Sequence, residues 1–240
     1  MAATSLKKQF TALVNVDYEA SVKKSKLNEV DNMTFNHDDD YYKKKVFNGQ
    51  NIDDIEIGIE FCETQEQNDL WTHFRVYTSS IRTFKNPGRN IRFMVKDNKT
   101  DTYIGIVSLA SDVKRYEARD TFIGWSFDKE HDSAQMLKYV VNINCCVGLQ
   151  PFSYNFNAGK LLVALCYSKE VQDYHFKKYG HYFACVTTFS INEKSIQYDR
   201  MKPYLQYIGK TKGFGILNVP DKLYERLKQL QYLFIIVHKS

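Results

Sequence analysis

The stretch IRFMVKDNKTDTYIGIVSL, from Ile91 to Leu109, decides the fold class. Ile91, Phe93 and Val95 recur at every second position, the period of a strand with one buried face. Asp97–Asp101 is a polar turn, and a second apolar run follows from Tyr103 to Leu109. Period and turn chemistry together predict a β-hairpin.

On its N-terminal side, Asn86-Pro87-Gly88 marks a turn, and His73–Ser80 reads as a strand. Residues 1–70 are polar and poor in apolar positions, so they read as an extension with one or two short elements. Residues 71–240 read as the α/β domain. Downstream, a polar stretch leads to an apolar strand around Phe122–Ser126. Tyr139–Val147 is apolar on both parities, as in a central strand covered on both faces. Pro151 ends it. Ser153–Asn157 reads as a loop. From Ala158, the spacing of Leu161, Leu162 and Leu165 predicts a helix. Ser168 caps a second helix that runs to Tyr179, with Gly180 as its C′ residue. Phe183–Phe189 is a further strand. Ser195–Tyr207 is helical but interrupted by Pro203, and a basic Gly-rich loop follows from Ile208 to Gly215. Asp221–Tyr232 reads as a helix, and the tail as a last strand. No internal repeat is present.

The composition permits a real core, with 43% hydrophobic residues among 240. Its 17 Tyr and 16 Phe accompany abundant Lys and Asn, as AT-rich coding would produce, so the aromatic count by itself carries no function. Cys62, Cys145, Cys146, Cys166 and Cys185 are odd in number and lack a C-x-x-C pair. They read as free thiols of a reducing compartment. No histidine stands at ligand spacing from them, so no metal site is expected. Neither a signal peptide nor an apolar run of membrane-spanning length appears. The expectation is a soluble, intracellular protein (host cytoplasm or nucleus for a viral one).

Net charge is +5, unevenly spread. Residues 1–60 carry −3, residues 75–99 carry +6, and residues 194–240 carry +6. Two basic stretches suit a polyanion partner if they share a face. Solvated faces pointing apart are the plainer account.

Several phrases taken together resemble the DruA family. They are Arg119-Asp120 before Ile123-Gly124-Trp125-Ser126, Val141-Asn142-Ile143-Asn144 before Leu149-Gln150-Pro151, and Asn157-Ala158-Gly159-Lys160-Leu161-Leu162. Tyr179-Gly180, Thr187-Thr188-Phe189, and Tyr198-Asp199-Arg200 before Tyr207-Ile208-Gly209-Lys210-Thr211-Lys212-Gly213 complete the set. The resemblance covers about Trp71 to Gly215 and implies a DNA-conflict setting, viral or anti-viral. It does not imply a reaction.

The element order is also similar to the core of the N-acetyltransferase superfamily and of phage DNA-modification proteins built on it. That implies an α+β fold, a mixed twisted sheet flanked by helices, with an N-terminal extension. It also implies an acyl-CoA-like cofactor held on backbone amides near Asn157, Gly159 and Lys160. The stretch has a single glycine, which departs from the acetyltransferase pattern.

Several residues are site candidates. Asp120, Tyr198 and Asp199 are read as catalytic, Tyr198 as a general acid. Arg119, Trp125, Asn142, Asn144 and Arg200 are read as substrate-binding. Trp125 would stack on a base, and Asn142 and Asn144 would point to one face of their strand. Arg89, Arg92, Lys210 and Lys212 are read as DNA-binding. For each a structural account stands beside the functional one: ion pair, core Trp, buried amide network, helix cap, basic turn. Three functions remain open: a base-modifying group-transfer enzyme on DNA, a non-catalytic DNA-binding module that recruits protein partners, and a divalent-metal nuclease.

Overall fold

A computed structural model describes residues 28, 30–33, 35–49, 51–79, 88–125, 133–156, 158–190 and 195–210. The chain divides into two compact units. One comprises residues 1–34, 79–83 and 216–240; the other comprises 35–78 and 84–215. The second holds all the elements below. The helix expected at 221–232, the last strand, Asn157 and Lys212 lie outside the described residues.

The hairpin forms as its period predicts. Strand β2 (Asn90–Asp97) pairs antiparallel with β3 (Thr102–Ser111). Asp97 is buried and holds the turn. Its carboxylate accepts from Glu56 N at 2.9 Å and from Thr100 Oγ1 at 2.7 Å. The turn's other acid, Asp101, pairs with Lys96 at 2.7 Å. A short helix, α1 (Asp39–Lys44), and a strand, β1 (Ile57–Phe61), precede the hairpin. Strand β1 pairs with β2, and Tyr42 and Phe47 reach the core. Residues read from sequence as part of an extension therefore contribute to the sheet and its packing.

The strand expected at 73–80 is instead the end of helix α2 (Gln65–Thr78). Leu70, Trp71 and Phe74 recur at helical spacing and bury together against the sheet. The alternation of Phe74 with Val76 was too short a window to set the period. The strand expected at 122–126 is likewise absent. Helix α3 (Glu117–Ile123) ends at Gly124, whose φ of 79° forms a left-handed cap.

After helix α4 (Ser133–Met136) and a 3₁₀ turn, strand β4 (Val140–Gly148) pairs antiparallel with β3. A crossover of α5 (Phe152–Phe156), α6 (Gly159–Leu165) and α7 (Lys169–Tyr179) leads to β5 (Cys185–Thr188), which lies parallel to β4. The stretch read as a loop at 153–157 is helical over the residues of α5. Helix α7 starts and stops on the expected residues: the Ser168 side chain accepts from Val171 N, and Gly180 caps the other end at φ 76°. A short helix, α8 (Ile196–Asp199), follows.

The sheet is five-stranded, mixed, and ordered β1-β2-β3-β4-β5. One face packs Ile91, Phe93, Val107 and Ile143 against Leu162, Val163 and Val171 of α6 and α7. The other face packs Met94, Ile106 and Cys145 against α2. The expected α+β class holds.

Candidate functional site

Two irregularities in the sheet determine where its polar side chains go. Pairing of β3 with β4 shifts between Ser108 and Leu109, which face Cys145 and Ile143. Asn144 is therefore the extra residue of a β-bulge. The bulge breaks the parity that would place Asn142 and Asn144 together: Asn142 is buried and Asn144 exposed. Pairing of β4 with β5 covers only Val140 to Ile143. Beyond the bulge, β4 continues without β5 beside it.

Around the paired end of β4 lies a buried polar cluster. Asn142 Nδ2 donates to Thr187 Oγ1 at 3.0 Å, and Thr187 Oγ1 donates to Asp112 Oδ2 at 2.9 Å. Arg119 Nη1 donates to the same oxygen at 2.8 Å and to Val113 O at 2.8 Å. Its Nε and Nη2 reach Asp120 Oδ1 at 2.8 and 2.6 Å, and Nη2 also reaches Lys114 O at 3.3 Å. All five guanidinium donors are thus engaged. The other oxygen of Asp120 accepts from Tyr116 N at 2.7 Å. Arg119 and Asp120 are each 1% exposed. Trp125 stands with its ring 5.2 Å from the Arg119 guanidinium carbon.

The cluster gathers Arg119, Asp120, Trp125 and Asn142 from the expected site. Sequence reasoning missed Thr187 and Asp112 as members. Thr187 joins through cross-strand geometry and has no local signal, whereas Asp112 pairs with Arg119 seven residues on.

Tyr198 lies elsewhere. Burial raises its pKa, and its hydroxyl bonds to the Thr188 side chain, with Cys146 and Cys166 nearby. Thr187 and Thr188 are successive strand residues and point to opposite faces. Asp120 and Tyr198 are therefore on opposite sides of the sheet, and the expected catalytic set is not brought together. Tyr198 sits where β4 outruns β5 and packs against the core on that face. Asp199 and Arg200 are exposed; Asp199 Oδ2 accepts from Ser195 N at 3.1 Å.

Ahead of the expected cofactor residues Gly159 and Lys160, the amides of α5 are taken up within the chain. Ser153 N donates to Leu149 O at 2.8 Å, Tyr154 N to Gln150 Oε1 at 2.9 Å, and Asn155 N to Pro151 O at 3.2 Å. These amides are already satisfied, and Ala158, at the start of α6, is 3% exposed. Gly159 and Lys160 are half-buried in the first turn of that helix.

Three of the four expected DNA contacts are among the described residues, and they differ in placement. Arg89 binds inward: Nη2 donates to Leu137 O at 3.0 Å and Val140 O at 3.3 Å, and Nη1 to Lys138 O. Arg92 stacks on Trp71 at 4.6 Å. Lys210 is exposed. Burial weakens Cys62 and Cys145 as nucleophiles, pushing the first thiol up to about 12 and the second to about 11. Among the described residues no group of three or more His, Cys, Asp or Glu is placed to hold a metal ion. No described helix is long and apolar enough to cross a membrane.

Outside the buried cluster lies a basic and aromatic rim. Gly209, at φ 146°, passes so close to α3 that a Cβ there would stand 3.1 Å from Ala118 Cβ. Gly209 therefore lies beside the first turn of α3. Lys114 and Arg115 before α3, and Arg200, Lys202 and Lys210 along the chain that leads through Gly209, are all exposed, as are Glu117 and Asp199. Tyr204 is 80% and Tyr207 61% exposed, and Tyr116 meets Phe189 at 4.9 Å.

A family model described as Druantia protein DruA matches residues 13–235. The chain is also 28% identical over 179 residues to Druantia protein DruA of Escherichia coli (strain UMEA 4076-1). The similarity covers 68% of this chain and 43% of that protein, so the chain spans less than half of its relative's length. No solved structure matches the chain.

Proposed function

The chain belongs to the DruA family, and on that footing we propose that it binds DNA through the rim around Arg119 in a phage-conflict setting. One observation carries this reading: the contact of Gly209 with Ala118 sets two basic segments beside each other. Cations there release counterions from phosphate. Exposed tyrosines interleaved with them offer faces on which unpaired bases stack. The Arg119 cluster fixes the turn beneath the rim by bonding the carbonyls of Val113 and Lys114. The test is fluorescence anisotropy with labelled single- and double-stranded DNA across a salt series. Binding that weakens steeply with salt, and weakens further on Lys114→Ala and Lys202→Ala, supports the reading. Salt-independent binding, or none, ends it.

A group-transfer reading has narrower support: an antiparallel β1–β4 sheet continued by a parallel β5, with β4 outrunning it at Asn144. That order is the one the acetyltransferase-like resemblance implies. The separation of Asp120 from Tyr198 weighs against it, and the amides of Ser153, Tyr154 and Asn155 are already bonded. Mass spectrometry of nucleosides from DNA co-expressed with the protein decides between transfer and simple binding. The nuclease reading draws no support from the described residues, which supply no metal-ligand group.

A further inference from the structure

Arg89, one residue ahead of β2, closes the 3₁₀ turn at 137–139 onto the first residue of β4. Its Nη2 donates to Leu137 O at 3.0 Å and to Val140 O at 3.3 Å, and its Nη1 to Lys138 O. The same Nη1 stands 2.8 Å from His181 Nε2. His181 follows the Gly180 cap of α7, and its Nδ1 lies 2.8 Å from Tyr179 O. The chain then leads into β5, and on the way Ala184 N donates to Tyr139 O at 2.8 Å. Arg89 and His181 thus meet where β2, β4 and β5 all begin.

Hydrogen-bond roles fix the protons in this arrangement. A carbonyl only accepts, so the Tyr179 contact requires hydrogen on Nδ1. A guanidinium only donates, so the Arg89 contact requires a lone pair on Nε2. Nε2 also stands 2.9 Å from Lys138 O, the carbonyl that Arg89 holds. A proton on Nε2 would therefore turn the ring from an acceptor for Arg89 into its rival for that oxygen, with a positive charge beside the guanidinium. Among the described residues no carboxylate pairs with either group. The other groups around the ring supply no negative charge. Tyr139 lies 5.6 Å away and carries the Lys138 ammonium 5.0 Å over its own ring. From α7, Tyr179 turns its hydroxyl to Asn90, and the His175 ring stands 5.0 Å off. His175 Nδ1 meets His181 O at 2.7 Å, its Nε2 is sealed without a partner, and burial lowers its pKa.

We propose that His181 is a proton-gated clasp on Arg89. With Nε2 bare, the ring receives the guanidinium and the starts of β4 and β5 are held together. With Nε2 protonated, the ring takes Lys138 O for itself and expels the guanidinium. Imidazoles change charge between about pH 5 and 8, so the clasp is closed on the basic side and opens as pH falls. The bond from Ala184 N to Tyr139 O lies next to it and reports its state. The clasp is separate from the exposed rim, and its test does not depend on DNA binding.

The experiment is nuclear magnetic resonance on the full chain. Long-range proton–nitrogen spectra at about pH 7.5 read the His181 ring, assigned by its loss in His181→Gln. Hydrogen is expected on Nδ1 and not on Nε2. Amide exchange then reads the opening at Ala184, corrected for intrinsic exchange at each pH. Between about pH 7.5 and about pH 5.5, its protection is expected to fall by about tenfold or more in wild type. In His181→Gln, whose amide accepts from Arg89 but takes no proton, the fall should be under about twofold. Arg89→Met removes the rival, so protection there should be low and insensitive to pH. If Arg89→Met does not fold, wild type and His181→Gln carry the comparison. Hydrogen on Nε2 at about pH 7.5, or an equal loss of protection in wild type and His181→Gln, overturns the proposal.

Discussion

Arg119 and Asp112 form a 2.8 Å ion pair whose side chains are 1% and 0% exposed. The pair ties helix α3 to the end of β3, and through Thr187 it reaches β5. Asp112, Arg119 and Asp120 belong to one short segment, and Asn142 and Thr187 join them from β4 and β5, so the cluster ties a local turn to the sheet.

Removing the guanidinium would leave Asp112 and Asp120 buried without their cation. Arg119→Met is expected to cost ~3–5 kcal/mol, the range for breaking a buried pair from one side. Urea unfolding followed by circular dichroism measures this. Asp112→Asn keeps the shape and an acceptor, so its loss should be smaller. A loss under about 1 kcal/mol for Arg119→Met, as for an ordinary surface change, would contradict that tie.

Gly105 allows α6 to lie close on β3. A Cβ at that position would stand 2.6 Å from Leu162 Cδ1 and Cδ2. Gly105→Ala is expected to destabilise by about 1–3 kcal/mol through overpacking. Pairing it with Leu162→Ala should recover part of that loss, and a double-mutant cycle reads the coupling. Full additivity would show that the two do not touch in solution.

The rim predicts a division of labour among the basic residues. Each of Lys114→Ala, Lys202→Ala and Lys210→Ala should reduce the slope of log affinity against log salt by about one if it removes one phosphate contact. Arg89→Ala should leave that slope unchanged and lower stability instead, because Arg89 holds the carbonyls of Leu137 and Val140. Tyr207→Ala should weaken single-stranded more than double-stranded DNA. A salt slope that falls for Arg89→Ala and not for Lys114→Ala would place the interface elsewhere.

Acid should weaken the protein through His73. Its ring is stacked 3.4 Å from Tyr42 and 4.4 Å from Tyr77. Burial lowers its pKa from 6.5 to about 4, against a smaller opposite pull from Asp39. Between those values the unfolded chain binds the proton and the folded chain does not, so stability rises with pH. The contribution is complete above about 6.5 and is lost as pH falls toward 4, amounting to ~2–3 kcal/mol. His73→Phe keeps the stacking and removes the proton site. Stability measured by urea at pH 7.5, 6 and 5 should fall less steeply in that variant. Parallel pH profiles would exclude His73 as the source.

Local signals in the sequence were read correctly where the physics is local. The alternation of Ile91, Phe93 and Val95 marks β2. Ser168 and Gly180 mark the ends of α7, because a cap is made within a few residues. The stretch at 73–80 was misread because two alternating residues fit both periods, and only the burial of Leu70 and Trp71 on the sheet selects the helix. Asn142 and Asn144 were placed on one face by a period-two count, which a single bulge residue defeats.

The sequence by itself determined the mixed α+β class, the hairpin, the caps of α7 and the family, all of which are written in contiguous residues or in phrases of fixed order. The tertiary structure alone decided that Asn142 and Thr187 join the Arg119 cluster and that Tyr198 stands on the opposite face. Those outcomes depend on strand register and on which face each side chain takes. Register is set by cooperative packing across the whole sheet, so no window of sequence contains it.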